Sequence, residues 1–251
     1  MLSFIMLKIS AIIITFNEEG RLKACLESIK WCDEIVVLDS GSTDNTLEIA
    51  KRFTDRIYIE NWKGYGPQKQ SALEKATGQW VLSIDADEVI TPELALEIKA
   101  VISSTDRAGY YIPRKNFYKN KWLRHGGQYP DYVLRLFRRD SGRFSPSMVH
   151  EKVIVDGPCG RLKEPLLHYT FQNLSSLISK INKYSSLSAK ELYQSGRRCG
   201  RFSPILHFLS FFTRDYLLRL GFLDGLEGFN VAFVKAIGIY LKYAKLRDMT
   251  K

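Results

Sequence analysis

A chain of 251 residues, 45% hydrophobic and 25% charged, has the composition of a globular protein with room for one large α/β domain and a helical appendage, which excludes a disordered or fibrous chain. Its four cysteines, Cys25, Cys32, Cys159 and Cys199, form no C-x-x-C pair and have no histidine at zinc-finger spacing, so they read as buried thiols in a reducing compartment. The net charge of +10 comes without a nucleic-acid-binding motif, and no nucleic-acid partner is expected.

In chain order, the apolar opening MLSFIMLKISAIIITF lacks a basic leading region. It runs into Asn17-Glu18-Glu19-Gly20 rather than a small-residue cleavage site, so it reads as a buried strand and the protein as cytoplasmic. Strands are predicted over residues 9–15, 34–40, 56–60 and 80–85. Amphipathic stretches lie between them: Leu22, Leu26 and Ile29 share a face of the first, and Leu47, Ala50 and Lys51 divide inside from outside in the second. This alternation predicts an α/β fold, a mainly parallel sheet flanked by helices. Each strand ends in polar residues at its carboxyl end, the edge where such sheets bind ligands. Residues 1–100 carry 11 Lys and Arg against 16 Asp and Glu, a net −5.

Beyond residue 105 the chain reads as strands and loops: GYYIPRKNFY, DYVLRLFRR, VHEKVIVD and EPLLHYTF. Residues 101–170 carry 13 basic against 6 acidic side chains, a net +7. From 173 the pattern turns helical, with Asn173 and Ser175–Ser176 as cap candidates, a long helix to about 195, and two more over about 204–220 and 228–245. Residues 171–251 carry 13 basic against 5 acidic side chains, a net +8, so the second half is suited to a phosphorylated acceptor or an anionic leaflet. Phe229, Phe233, Ile237 and Leu241 recur at helical spacing among Lys235, Lys242, Lys245 and Arg247, which predicts an amphipathic helix that divides its apolar face between packing on the domain and lying on an anionic membrane surface. The expected domains are 1–172, divided into a nucleotide-binding half (1–105) and an acceptor-binding half (106–172), and a helical extension over 173–251.

The strongest chemical signal is Asp85-Ala86-Asp87-Glu88, directly after the apolar strand WVLS. Two carboxylates at a strand end offer hard oxygen ligands to Mg²⁺ or Mn²⁺, and an ion so held can bridge a diphosphate and stabilise the charge that develops as it leaves. A second signal is Val36-Val37-Leu38-Asp39-Ser40-Gly41-Ser42-Thr43-Asp44. Here Asp39 can accept a hydrogen bond from a base N–H, Gly41 lets the chain turn, and Ser42 or Asp44 can cap the next helix.

Together with Ile12-Ile13-Ile14-Thr15-Phe16-Asn17-Glu18-Glu19, these motifs resemble family 2 glycosyltransferases of GT-A fold. The closest branch is that of the lipopolysaccharide core enzymes that add glucose to a heptose. The likeness extends through GYGPQKQSAL, RLFRR, VHEKV, LLHYTF and GFLDGLEGF. It implies a UDP-sugar donor and a phosphorylated glycolipid acceptor at the inner face of the bacterial inner membrane. It also implies that Thr15, Asn17 and Glu18 line the nucleotide pocket, that Asp39 reads the uracil, and that Gln68 or Lys69 lies near ribose and phosphates. Asp87 would bind the metal-diphosphate with help from Asp85, the Asp85-Ala86-Asp87 segment lying along the donor. The usual D-D pair before G-S-T-D is Asp39-Ser40 here, so one carboxylate remains.

An inverting transfer needs a base for the acceptor hydroxyl. Where relatives hold an E-D motif this chain holds His150-Glu151, so Glu151 is the expected base and His150 the alternative. His168, in an apolar strand, is either a third metal ligand or a hydrogen-bonded core histidine. Arg124, Arg135, Arg138 and Arg139 form a basic group from which one or two could bind acceptor phosphate. Two other readings stand beside this one: a haloacid-dehalogenase-type phosphatase using Asp85-Ala86-Asp87-Glu88-Val89, and a non-catalytic glycan- or lipid-binding relative.

Overall fold

The computed structural model describes residues 8–103, 105–146 and 152–250. The chain divides into two units, Met1–Arg114 with Tyr132–His168, and Lys115–Asp131 with Tyr169–Lys251.

The first unit opens with β1 (Ile9–Thr15), α1 (Leu22–Ser28), β2 (Glu34–Asp39), α2 (Thr46–Ala50), β3 (Ile57–Ile59), α3 (Tyr65–Lys75), β4 (Trp80–Ser83), β5 (Glu88–Val89) and α4 (Pro92–Ile102). The first four strands are parallel in the order β3-β2-β1-β4. A parallel sheet is covered on both faces, and β1 is accordingly a continuous apolar run. Ala11 and Ile13 pack on one face with Leu22, Leu26 and Ile29 of the α1 region, while Ile12 packs on the other with Val36, Leu38, Ala72 and Phe137. The strand order reverses between β1 and β4, the topological switch point where a ligand crevice opens at the carboxyl ends.

The chain continues through β6 (Gly109–Tyr118), β7 (Lys121–Trp122), β8 (Asp131–Arg138), β9 (Gly142–Phe144), β10 (Val153–Val155), β11 (Cys159–Arg161) and β12 (Leu166–Phe171). The sheet passes from β4 through β8, β6 and β12 to β5. β8 runs antiparallel to β4, with Leu82 opposite Leu136, and β12 antiparallel to β5, with His168 opposite Glu88. The sheet is therefore mixed, parallel over β3-β2-β1-β4 and largely antiparallel beyond β4. β9 and β10 form a separate antiparallel ribbon.

The helical unit holds α5 (Leu174–Gln194), α6 (Ser203–Phe212), which runs into a π-helical segment over Thr213–Leu218, and α7 (Gly225–Asp248). Asn173 caps α5 as its position predicts: the Ser176 backbone N–H donates to Asn173 Oδ1 at 2.8 Å. Pro204 sits in the first turn of α6, where its missing N–H leaves no bond unmade.

The boundary differs from the expected 172/173, because Lys115–Asp131 belongs with the helices. The reason is chemical. Asp224 is buried, and a buried carboxylate must find donors. The His125 backbone N–H donates to it at 2.8 Å and His125 Nδ1 lies 2.9 Å away, while Lys121 Nζ donates to the Asp224 carbonyl at 2.7 Å. Tyr118 and Leu123 join Phe171, Leu177, Val231 and Val234 in the unit's core.

The predicted apolar stripe of α7 makes aromatic contacts within this unit and stays partly accessible, with Phe233 38% exposed. Phe229 stacks on Phe233 with centroids 5.5 Å apart, and both meet Phe212 edge-on at 6.0 and 6.1 Å. Among the described residues no helix is long and apolar enough to cross a membrane.

Candidate active site

The site is built at the carboxyl edge of the parallel strands. Thr15 ends β1 directly beside Asp39, which ends β2. Asp39 is fully buried and accepts four hydrogen bonds: from Thr15 Oγ1 at 2.8 Å, Ser42 Oγ at 2.6 Å, and the Gly41 and Ser42 backbone N–H groups at 2.9 and 2.7 Å. Four donors occupy the lone-pair sites of a carboxylate. In this structure Asp39 therefore organises the β2–α2 turn, and a base N–H could reach it only by displacing one of them.

Asn17 adopts a left-handed backbone, φ 54°, which asparagine tolerates better than most residues. From there its backbone N–H donates to Ser42 Oγ at 2.8 Å, and its Oδ1 accepts the Thr43 N–H at 2.8 Å. The Glu18 N–H donates to Thr46 Oγ1 at 2.7 Å. The two turns are thus clamped together, and Thr15, Asn17, Glu18 and Asp39 come to one edge of the sheet, as the motifs predict.

Gly64, at φ 102°, turns the chain into α3, which carries the next two candidates. Gln68 is fully buried, and its Nε2 donates to Ser40 Oγ at 3.2 Å and to the Glu60 carbonyl at 3.3 Å, while its Oε1 accepts from the Lys63 N–H. In this structure it serves as a strut between turns. Lys69, one residue on, places Nζ 2.8 Å from Asp85 Oδ1.

Past β4 the chain folds back within four residues. The Asp85 N–H donates to Glu88 Oε2 at 3.0 Å and the Glu88 N–H to the Asp85 carbonyl at 2.9 Å. This tight turn sends the two aspartates to different partners. Asp85 pairs with Lys69 and with Arg135 of β8, which also reaches Glu88 Oε1 at 2.6 Å. Burial pushes the Asp85 carboxyl up, but Arg135 and Lys69 outweigh it and hold the group well below its usual range. Asp87 lies 3.2 Å from Arg21 Nη1 and 3.5 Å from His168 Nε2. Ala86 between them packs into the core, so its side chain is structural.

Among the described residues no three His, Cys, Asp or Glu side chains converge tightly enough to hold a metal by themselves. Asp87 Oδ1 and His168 Nε2 lie 3.5 Å apart, and a carboxylate beside an imidazole suits Mn²⁺ or Mg²⁺ when a diphosphate supplies the remaining oxygens. Asp85, with an oxygen on each of two cations, braces the turn that carries Asp87.

Three carboxylates, Asp85, Asp87 and Glu88, here meet four cations, Arg21, Lys69, Arg114 and Arg135, with Arg114 Nη1 3.5 Å from Glu88. Arg114 and Arg135, supplied by the basic segment beyond residue 100, tip this cluster to a small cationic excess, the sign that attracts a diphosphate. Arg21 and Arg114 carry no motif that would single them out in the sequence. Arg135 does stand in RLFRR, but it braces Asp85 instead of awaiting an acceptor. Arg138 and Arg139 donate to the backbone carbonyls of Arg107 and Ala76 at 3.1 Å each, and Arg124 lies over the Trp122 ring at 4.4 Å. His150 and Glu151 lie outside the described residues.

A sequence profile of glycosyl transferase family 2 matches residues 10–157. The chain is similar to the lipopolysaccharide core biosynthesis glycosyltransferase LpsC of Rhizobium meliloti (strain 1021), 36% identical over 95% of this chain and 94% of that protein. It is also similar to an uncharacterized glycosyltransferase of Rickettsia typhi, 31% identical over 98% of this chain and 88% of that protein. Among solved structures, glucosyl-3-phosphoglycerate synthase from Mycobacterium tuberculosis, in complex with Mn²⁺, UDP and glucosyl-3-phosphoglycerate, superposes with a TM-score of 0.51 at 18% identity, covering 77% of this chain and 82% of that one. That likeness bears on the fold, which is of GT-A type.

Proposed function

The chain belongs to glycosyl transferase family 2, and from that premise we propose that it moves a hexose, glucose by the likeness of its motifs, from UDP to a lipopolysaccharide-core or related surface-glycan acceptor, with inversion at the anomeric carbon. The observation that carries this reading is the cationic basin around Asp85–Glu88 at the switch point of the sheet.

Lys69 and Arg135 keep Asp85 ionised and immobile, which fixes the turn and aims Asp87. Arg21 and His168 flank Asp87 where the diphosphate would sit. A divalent ion bound there would neutralise the leaving UDP as its bond to the sugar breaks. Glu151 takes the proton of the acceptor hydroxyl, with His150 orienting it or serving in its place. The net +7 of residues 101–170 supports a phosphorylated acceptor, a glycolipid at the inner face of the inner membrane. The phosphatase reading requires a free Asp85 nucleophile, and both of its oxygens are held by cations.

The test is turnover of UDP-glucose, UDP-galactose, UDP-GlcNAc and GDP-mannose, with and without Mn²⁺. UDP-glucose turnover that needs the ion is expected. Preference for GDP-mannose, or full activity in excess EDTA, would refute the donor or the metal respectively, and no turnover of any donor would favour a non-catalytic relative.

A further inference from the structure

In the helical unit, α6 uses one face to pack on α7. His207 stacks on Tyr243 with centroids 4.0 Å apart, and Phe208 meets Phe233 edge-on at 5.9 Å. The opposite face is aliphatic and bare. Ile205, Leu206 and Leu209 are 50%, 62% and 52% exposed, and beyond the helix Leu218, Leu223 and Leu226 are 75%, 56% and 69% exposed. A helix on a water-facing surface carries polar residues on its outer face. An apolar patch of this kind marks an interaction surface.

The charges around it identify the occupant. No charged residue lies between Arg201 and Arg214; Arg197, Arg198 and Arg201 precede α6, and Arg214 and Arg219 follow it. The only carboxylates within 197–226, Asp215 and Asp224, are both buried, Asp215 against Arg214 at 2.7 Å and Arg219 at 3.3 Å, Asp224 against His125. Along the chain the exposed aliphatic segment is therefore bracketed by arginines, three before it and two after it that share a single buried carboxylate. Two copies of the chain meeting through α6 about a twofold axis would set arginine against arginine, which repels. An anionic lipid layer complements both features, taking the leucines into the acyl boundary and the guanidinium groups at the phosphates. Even with its π-helical continuation to Leu218, α6 extends at most about 24 Å, short of the ~30 Å of a hydrocarbon core, so the helix can lie in the layer but not span it.

We propose that α6 and residues 217–226 insert into the headgroup layer of an anionic bilayer and hold the enzyme at the surface that carries its acceptor. This deepens the glycolipid reading and rests on it only for the acceptor's location. The full chain should co-sediment with phosphatidylglycerol-containing vesicles and only weakly with phosphatidylcholine alone. Introducing charge with L206E/L209E, or independently with L218E/L226E, should weaken binding about 10²-fold or more, since each leucine loses its transfer out of water. Both pairs lie outside the core, and donor hydrolysis and melting of the variants in lipid-free buffer should match the wild type.

Wild-type binding by both variants would overturn the proposal, as would equal binding to neutral vesicles. Self-association in lipid-free buffer that L206E/L209E abolishes, with no vesicle binding, would overturn it in favour of a second copy. Vesicle binding without turnover of any sugar nucleotide would leave the docking standing and sink the functional reading.

Discussion

Arg135→Met removes one charge from the centre of the site and keeps most of its volume. Arg135 is buried and pairs with both Asp85 and Glu88, and Glu88 is fully buried. Removing one partner of a buried pair typically costs about 3–5 kcal/mol, because the remaining charge is left without compensation. Asp85 is 30% exposed and keeps Lys69, and Glu88 keeps Arg114 at 3.5 Å, so the expected loss is near the lower end, about 3 kcal/mol. Urea unfolding of wild type and R135M at neutral pH measures it. The double variant R135M/E88Q should be more stable than R135M alone, since the uncompensated carboxylate is then gone.

The acid arm of the stability curve gives an independent check. The Asp85 carboxyl is depressed in the folded state, so its stabilisation is complete above its ordinary value of 3.8 and is lost as pH falls through the lower folded value. In R135M the folded value rises toward 3.8, and this acid-sensitive contribution shrinks. A loss below about 1 kcal/mol at neutral pH, with an unchanged acid arm, would refute the brace.

Asp87→Ala should reduce sugar transfer by about 10²–10⁴ without loss of fold, because it removes the group proposed to hold the metal-diphosphate and no hydrophobic core contact; near-normal turnover by a folded variant would remove Asp87 from the site. Glu151→Gln should lower kcat by about 10²–10⁴ on a true acceptor and spare donor affinity, with a smaller effect from His150→Gln; the reverse ranking would make His150 the base. Gly228→Ala tests the helical unit. Alanine would ordinarily favour a helix by about 1 kcal/mol, but a Cβ here overlaps the Gly221 carbonyl oxygen, which is backbone and cannot swing away, so a net loss of about 1–3 kcal/mol is expected in thermal unfolding. A melting temperature equal to or above the wild type would mean that the contact relaxes.

The motifs at the strand ends were legible in the sequence because their determinants are local. Apolar runs of strand length, a glycine after Asp39 and a carboxylate pair after WVLS are each read within a few residues, and β1, β2, β6 and β8 lie where that pattern puts them. The Asn173 cap was legible for the same reason. What tertiary structure decided is which partners those side chains meet. Asp85 and Arg135 are 50 residues apart and Arg21 and Asp87 66, and only the sheet order brings them within ion-pair distance. The same long-range pairing brought Arg114 and Arg135 of the basic segment onto the carboxylates of the acidic one and closed Gln68 into the interior. In the helical unit the spacing of Phe229, Phe233, Ile237 and Leu241 specified an apolar stripe but not its cover. Aromatic packing between α6 and α7 buries part of it and leaves α6 with the exposed face, because a period reveals that a helix has two sides, and only its neighbours decide which of them meets water.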